Sequence, residues 1–325
     1  MRLIVADIGG TNARFAVSAQ GEPSLRHITH LQCADFVGFE DAFERFLTGL
    51  PCDEQSGHHV LSLAVAGPVN DQIVDVSNNH WRFDKTRLLE RLALDKLLVI
   101  NDFTAQALAQ HNTADGDRRQ ILDGIEDASA PLLVIGPGTG LGVSALIPVV
   151  HGPLPVEGEG GNIRFAPQTE PERDLCAYME QQTDHVVVEH FVSGPGLENI
   201  HRFLANSAGI ETSLSAEMIA TSALREEGIC RDAVNLMIGI LGTVMRDHVL
   251  TMGCWRGAVI TGGIMPRLQS LINSSPLKQR FRSAGDMSHI LGNVPVWLST
   301  DPLAGLKGAQ VAFGNPYLAH RMVTG

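Results

Sequence analysis

The sequence predicts an α/β protein with two duplicated domains, on two observations. Short β-branched runs alternate with stretches of helical periodicity, and one strand–turn–strand plan occurs twice. The runs are LIVAD (3–7), ARFAV (13–17), LSLAVAG (61–67), KLLVIND (96–102), LLVIG (132–136), GVSALI (142–147), GAVITGG (257–263) and VPVWLS (294–299). Helical spacing shows in DFVGFEDAFERFLTGL (35–50) and TRLLERLAL (86–94). The repeated plan is VADIGGTNARFAV (5–17) and VIGPGTGLGVSAL (134–146), each with a Gly-Thr pair in its turn, Gly10-Thr11 and Gly138-Thr139. Glycine turns are also ordinary hairpin chemistry, so the echo alone fits two unrelated turns as well. The Asp- and Gly-rich stretch from His111 to Pro131 is the expected crossover. A small domain of residues 1–112 with 303–325 and a large one of 113–302 follow.

Bulk properties narrow the function. At 325 residues and 44% hydrophobic content the chain can bury a substantial core, enough for roughly two domains. Its 36 acids against 24 Lys and Arg give a net charge of -12, which disfavours nucleic acid or an anionic membrane as partner. The five cysteines are scattered, with no C-x-x-C pair and no histidine at metal-ligand spacing, a pattern suited to a reducing cytoplasm. The apolar run before Asp7 is too short for a signal peptide, so the first strand is expected to open the chain. AVNLMIGILGTVM (233–245) falls short of a bilayer span and reads as a buried helix.

Candidate chemistry lies in several motifs. In DIGGTNAR, Gly9 and Gly10 allow close backbone approach, Thr11, Asn12 and Arg14 offer donors to phosphate oxygens, and Asp7 suits Mg²⁺, directly or through water. A tight hairpin whose Gly and Asn serve only the turn fits the same residues. GPGTGLG supplies a second such loop, and neither has the P-loop or dinucleotide pattern. INDFTAQALA places Asn101 and Asp102 where a strand ends and a helix starts, so Asp102 could accept a proton or serve as helix cap. GGIMPR (262–267) reads as a strand-to-helix turn with Pro266 in the first helical turn, where Gly262 and Gly263 would admit a flat ring. Glu189 precedes a Ser-Gly-Pro-Gly turn, and on its own reads as an exposed acid. The thirteen histidines form no H-E-x-x-H, and no G-x-S-x-G is present, which removes metalloprotease and serine-hydrolase readings.

Taken in order, DIGGTNAR, VAGPV, SNNHW, INDFTA, GPGTGLG, GEGG with FAP, VSGPGL, ITGGIMPR and AGLKGA resemble the bacterial-type glucokinase family of the sugar kinase and actin superfamily, from Asp7 to about Ala309. The Cys-rich zinc motif of the related repressor and kinase group is absent from this sequence. The resemblance implies a two-domain actin-like ATPase (ribonuclease H-like) fold, with the active site in the interdomain cleft and ATP-dependent phosphorylation of a hexose, glucose foremost. It places Asp7, Gly9, Gly10, Thr11, Asn12 and Arg14, with Gly138, Thr139 and Gly140, on the ATP phosphates and Mg²⁺, and Gly262 and Gly263 by the adenosine. It makes Asp102 the general base and gives the sugar Asn101, Asp102, Glu159, Asn162 and Glu189, with Asn78 in a bordering segment. A cytoplasmic homodimer is part of the same expectation.

Phosphoryl transfer asks mainly for positioning and charge neutralisation, which such loops and a single base supply. Glycines beside Glu159 are expected to act as hinges that swing this acid onto the sugar as the domains close. The family motif reads GEGGH, whereas here its last position is Asn162. An amide is shorter than imidazole and cannot become charged, so weaker glucose use or another hexose is expected. Glu157 could compensate but also reads as a solvated acid. A sugar-binding regulator that lost turnover and an actin-like assembly protein are the rival readings. Retention of Asp102, Asp7 and both loops speaks against the first, and the acid-amide set against the second.

Overall fold

The computed structural model describes residues 2–18, 24–55, 58–113 and 116–325. Its strands are, in chain order, β1 (Arg2–Ile8), β2 (Asn12–Ser18), β3 (Leu25–Gln32), β4 (His59–Val65), β5 (Ile73–Asp75), β6 (Arg82–Asp84), β7 (Lys96–Asn101), β8 (Arg118–Leu122), β9 (Leu132–Pro137), β10 (Leu141–Val149), β11 (Gly152–Gly158), β12 (Gly257–Ile260), β13 (Val296–Ser299) and β14 (Val323–Thr324). The chain divides into two compact units: Met1–Thr113 with Val149–Pro155 and Asp301–Gly325, and Ala114–Pro148 with Val156–Thr300.

The units share a topology. The first sheet runs β3-β2-β1-β4-β7-β14 and the second β11-β10-β9-β12-β13-β8. In each, an antiparallel glycine hairpin (β1–β2, β9–β10) leads through parallel strands (β4 and β7, β12 and β13) to an antiparallel edge strand. The duplication expected from the two Gly-Thr turns is therefore a duplication of whole sheets.

In the first unit β4 is buried along its full length, as a strand covered on both faces must be. The helix Phe39–Thr48 presents Phe39, Ala42, Phe43 and Phe46, an i, i+3, i+4, i+7 stripe, to the core. Phe15 of β2 meets Phe46 with ring centroids 5.2 Å apart, and Phe39 meets Trp81 at 6.2 Å. The helices Asp102–Ala109 and Ala304–Phe313 pack against each other where Gly308 lies on the Ala105 backbone; a Cβ at 308 would overlap the Ala105 carbonyl. Ser62 Oγ of β4 donates to Ala309 O at 2.6 Å and seats the same helix on the sheet. Residues Val149–Pro155 join this unit, with Asn315 Nδ2 donating to Pro153 O at 2.8 Å.

The second unit packs its sheet against the helix Ile229–Met252 and neighbouring helices. That helix is long and apolar enough to cross a membrane by length and composition, and most of it is buried inside the unit. It extends the helix expected over 233–245 at both ends. The helix expected to hold Pro266 in its first turn starts only at Gln269; residues 262–268 form an irregular turn first.

Because Gly308 sets how closely the Asp102 helix can approach, Gly308→Ala is expected to cost about 1–3 kcal/mol of stability through overpacking. Urea unfolding of the variant reads this directly; a midpoint equal to the parent's would contradict it.

Candidate active site

In the first unit the carboxyl ends of parallel strands bring three loops to one edge. Ile8 pairs with Val65, and Val65 with Asn101, so the hairpin after β1, the turn after β4 and the start of the Asp102 helix stand in a row. Two inter-strand spacings, about 10 Å, separate the outer members. Such edges are where α/β sheets hold their ligands.

The hairpin after β1 is closed by Gly9 N–H donating to Asn12 O at 2.9 Å. Gly10 is a glycine because it packs on the Asn78 carbonyl and Cβ, at 3.0 and 3.2 Å from an ideal Cβ. Asn78 itself adopts φ 56°, the left-handed region that Asn tolerates better than most residues. Its neighbour Asn79 braces the same hairpin: Nδ2 donates to Gly9 O at 3.2 Å, and Oδ1 accepts Trp81 N–H at 3.1 Å. Thr11 and Asn12 sit exposed at the tip, with Asn12 Oδ1 accepting from Gln32 Nε2 at 2.8 Å.

Asp7 and Arg14 are direct cross-strand partners, which places Arg14 Nη1 3.4 Å from Asp7 Oδ2 and also 3.4 Å from Pro302 O. Arg14 is thus engaged within its own unit, a use the sequence did not suggest. Gly305, in the first turn of the helix Ala304–Phe313, clears the space for the carboxylate; a Cβ there would collide with Asp7. Burial pushes the Asp7 carboxyl above the usual carboxylate range, and the Arg14 charge only partly offsets it.

At the third loop, Asn101 caps the helix. Its Oδ1 accepts Phe103 N–H at 2.8 Å and Thr104 N–H at 3.3 Å, and its Nδ2 donates to Gly67 O at 3.0 Å. Gly67 needs its φ of 120° and lies against Ser77, so the turn after β4 has a fixed shape. Asp102 is then the first helical residue, partly exposed, at a helix N-terminus that favours a carboxylate.

The second unit gathers the remaining candidates. Gly138 N–H donates to Gly140 O at 2.8 Å, and Gly194 N–H donates to Gly138 O at 2.8 Å, so the loop Gly138-Thr139-Gly140 sits on the N-terminus of the helix Gly194–Ser207. Ser193 caps that helix, accepting Gly196 N–H at 2.9 Å, and no acid stands in the first turn. The helix start adds its own attraction for an anion to the glycine loop. Gly262, at φ 88°, lies against Pro137 O, which puts Gly262 and Gly263 beside the same loop.

Glu189 Oε2 accepts Leu141 N–H at 2.6 Å, and a side chain at 140 would run into the same carboxylate. The segment after Glu159 pairs with the one before Glu189 through Phe165 N–H to Val186 O at 3.0 Å and Val188 N–H to Ile163 O at 3.1 Å. Glu159 and Asn162 are exposed on a single 3₁₀ turn, Asn162 N–H donating to Glu159 O at 2.9 Å and Asn162 Nδ2 to Glu159 Oε2 at 3.4 Å. Glu159, Asn162, Glu189 and the Gly138–Gly140 loop are therefore one neighbourhood.

The hinge expectation changes here. None of Gly158, Gly160 and Gly161 has positive φ. Gly160 packs on Val143 and His248, and Gly161 on the Leu141 carbonyl, so both are glycines of close contact; only Gly158 has open space around it. The sequence also left unread Asn79, Gly305, Gly67 and His248. Asn79 stood beside the chosen Asn78, and Gly305 lay in the quoted AGLKGA; no local pattern marks His248.

A glucokinase family model matches residues 4–316. The chain belongs to the glucokinase family. The glucokinase of Aromatoleum aromaticum is 38% identical over 318 residues, 96% of this chain and 94% of that one. Among solved structures, a glucokinase from an Antarctic psychrotroph has a TM-score of 0.84 at 31% identity, covering 97% of this chain and 99% of that one. The Balamuthia mandrillaris glucokinase, solved with glucose, has a TM-score of 0.79 at 21% identity over 97% of this chain and 93% of its own, a likeness of fold. The fold is the actin-like ATPase fold of sugar kinases.

Because the ionised Asp7 carboxylate is disfavoured by burial, its penalty on folding is present above its raised pKa and disappears as pH falls through that value and then the unfolded value of 3.8. Asp7→Asn is therefore expected to melt higher than the parent at pH 7.5, with the difference shrinking toward pH 4. A variant that melts lower at pH 7.5 would contradict this.

Proposed function

We propose that this chain transfers the γ-phosphoryl group of ATP to a hexose, glucose foremost, with Asp102 as general base. The observation that carries the reading is the junction after β7, where Asn101 fixes the helix start and presents Asp102 at the loop-bearing edge of its sheet. A carboxylate there can take the proton of the attacking hydroxyl, a contribution of about 10²–10⁴ in rate.

The other roles follow the geometry of each unit. Thr11 and Asn12 at the first hairpin and Thr139 at the second offer donors to phosphate oxygens, helped by the helix start at Gly194. Gly262 and Gly263 leave room for the adenosine. Mg²⁺ fits Asp7, a desolvated carboxylate in a space that Gly305 clears, and when bound it would neutralise phosphate charge. For the sugar, Glu159 and Asn162 face solvent together, Glu189 has one oxygen fixed by Leu141 and the other for a hydroxyl, and Asn101 retains one amide hydrogen beyond its bond to Gly67. Asn78 packs on Gly10 of the first hairpin, and its part beside the sugar rests on the family resemblance. Hexose and ATP are the proposed partners; homodimer assembly and a cytoplasmic location rest on the family resemblance.

One observation favours a hexose other than glucose. Asn162 turns its amide toward Glu159 at 3.4 Å, so it supports the acid and reaches less far than an imidazole would. ADP production with Mg-ATP across a hexose panel tests the function: turnover with glucose or one relative is expected, and none with any hexose would contradict it. Asn162→His is expected to lower KM for glucose by roughly 2- to 150-fold, the worth of one hydrogen bond. An unchanged or higher KM removes the explanation from Asn162.

A further inference from the structure

His248 lies on the helix Ile229–Met252, 8% exposed, with its ring against the backbone of Gly160. An ideal Cβ on Gly160 would stand 2.9 Å from His248 Cε1 and 2.7 Å from Val143 Cβ, so turn, imidazole and β10 are in close packing. His248 Nε2 is buried without a hydrogen-bond partner among the described residues. Buried polar atoms are nearly always satisfied, so an unsatisfied one beneath a ligand-binding turn calls for a reason. The Gly160 backbone faces the ring as a hydrogen-bonding group that favours the protonated imidazole, as does the adjacent Asp247, while burial favours the neutral form more strongly. Asp247 is itself engaged by Arg246 at 2.8 Å.

We propose that His248 is a positioning residue for sugar binding: its imidazole supports the Gly160 peptide from below and so fixes the turn that carries Glu159 and Asn162. The turn has few restraints of its own. Asn162 N–H to Glu159 O and the amide-to-carboxylate bond are internal to it, and neither ties it to the rest of the unit. Its anchorage comes from the Val188 N–H to Ile163 O bond just beyond it, from Gly161 on the Leu141 carbonyl and from Gly160 on Val143 and His248. Of these contacts only His248 offers a side-chain polar group, and Nε2 can bond the Gly160 peptide after a small shift of the turn. An apolar residue of similar size would fill the space and lose that bond.

The inference rests on the proposed role of Glu159 in sugar binding, and two measurements separate it from that reading. In His248→Leu, KM for glucose is expected to rise about tenfold, with kcat and KM for ATP within about twofold of the parent, as for loss of one hydrogen bond to the bound state. His248→Gln, which returns a polar group near the position of Nε2, should restore most of the KM. The thermal midpoint of His248→Leu should stay close to the parent's, because leucine refills the space and only one weak contact to the turn is lost. Amide hydrogen exchange without sugar provides the second arm: His248→Leu should exchange faster over Gly160–Asn162 and unchanged at the helix Gly194–Ser207. If the parent shows no glucose turnover, the functional reading fails while exchange still decides the role of His248. Parent-like exchange over the turn overturns the inference, as does a parent-like glucose KM in an active enzyme, or a Gln variant no better than Leu.

Discussion

The proposed chemistry depends on one amide. Asn101 caps the helix Asp102–Ala109 with its oxygen and holds the Gly67 carbonyl with its nitrogen, so a single side chain joins the ends of two parallel strands and sets the direction of the helix. A helix cap is worth about 1 kcal/mol in general. Here its larger effect is geometric, because the residue after the cap is the proposed base. The Gly308 contact with Ala105 and the Ser62 bond to Ala309 then hold that helix and its partner against the sheet.

The same sheet edge holds Asp7 at a cost. A carboxylate that burial disfavours, with Arg14 as its cross-strand partner, is poor design for stability and good design for holding a cation. In the second unit the proposed anion loop is built differently, as a glycine turn seated on a helix start without acids. The duplicated sheets have therefore diverged in the turn between their first two strands: one hairpin follows an acid, and the other abuts a helix.

Much of this was legible in the sequence. The two Gly-Thr turns announced paired hairpins, and the buried strands β4, β7, β9 and β10 read as apolar runs. Strands that sit at sheet edges did not. LRHITHLQ of β3 is mostly exposed and carries two histidines, RRQIL of β8 is rich in charge, and β11 contains Pro153 and Pro155, which an edge strand tolerates. The site residues were legible where a motif held them. Their supports were not, since Gly305, Gly67 and His248 act through contacts made across long sequence separations. The glycines beside Glu159 make a related point: composition cannot distinguish a glycine that bends from one that permits contact.

The central claim is that the proposed base, Asp102, matters far more to the transfer step than to holding the sugar. Glucose titration by calorimetry and single-turnover phosphoryl transfer, both on Asp102→Asn, test it together. The account predicts affinity within a few-fold of the parent and a transfer rate reduced by about 10²–10⁴. Transfer at the parent rate would contradict it.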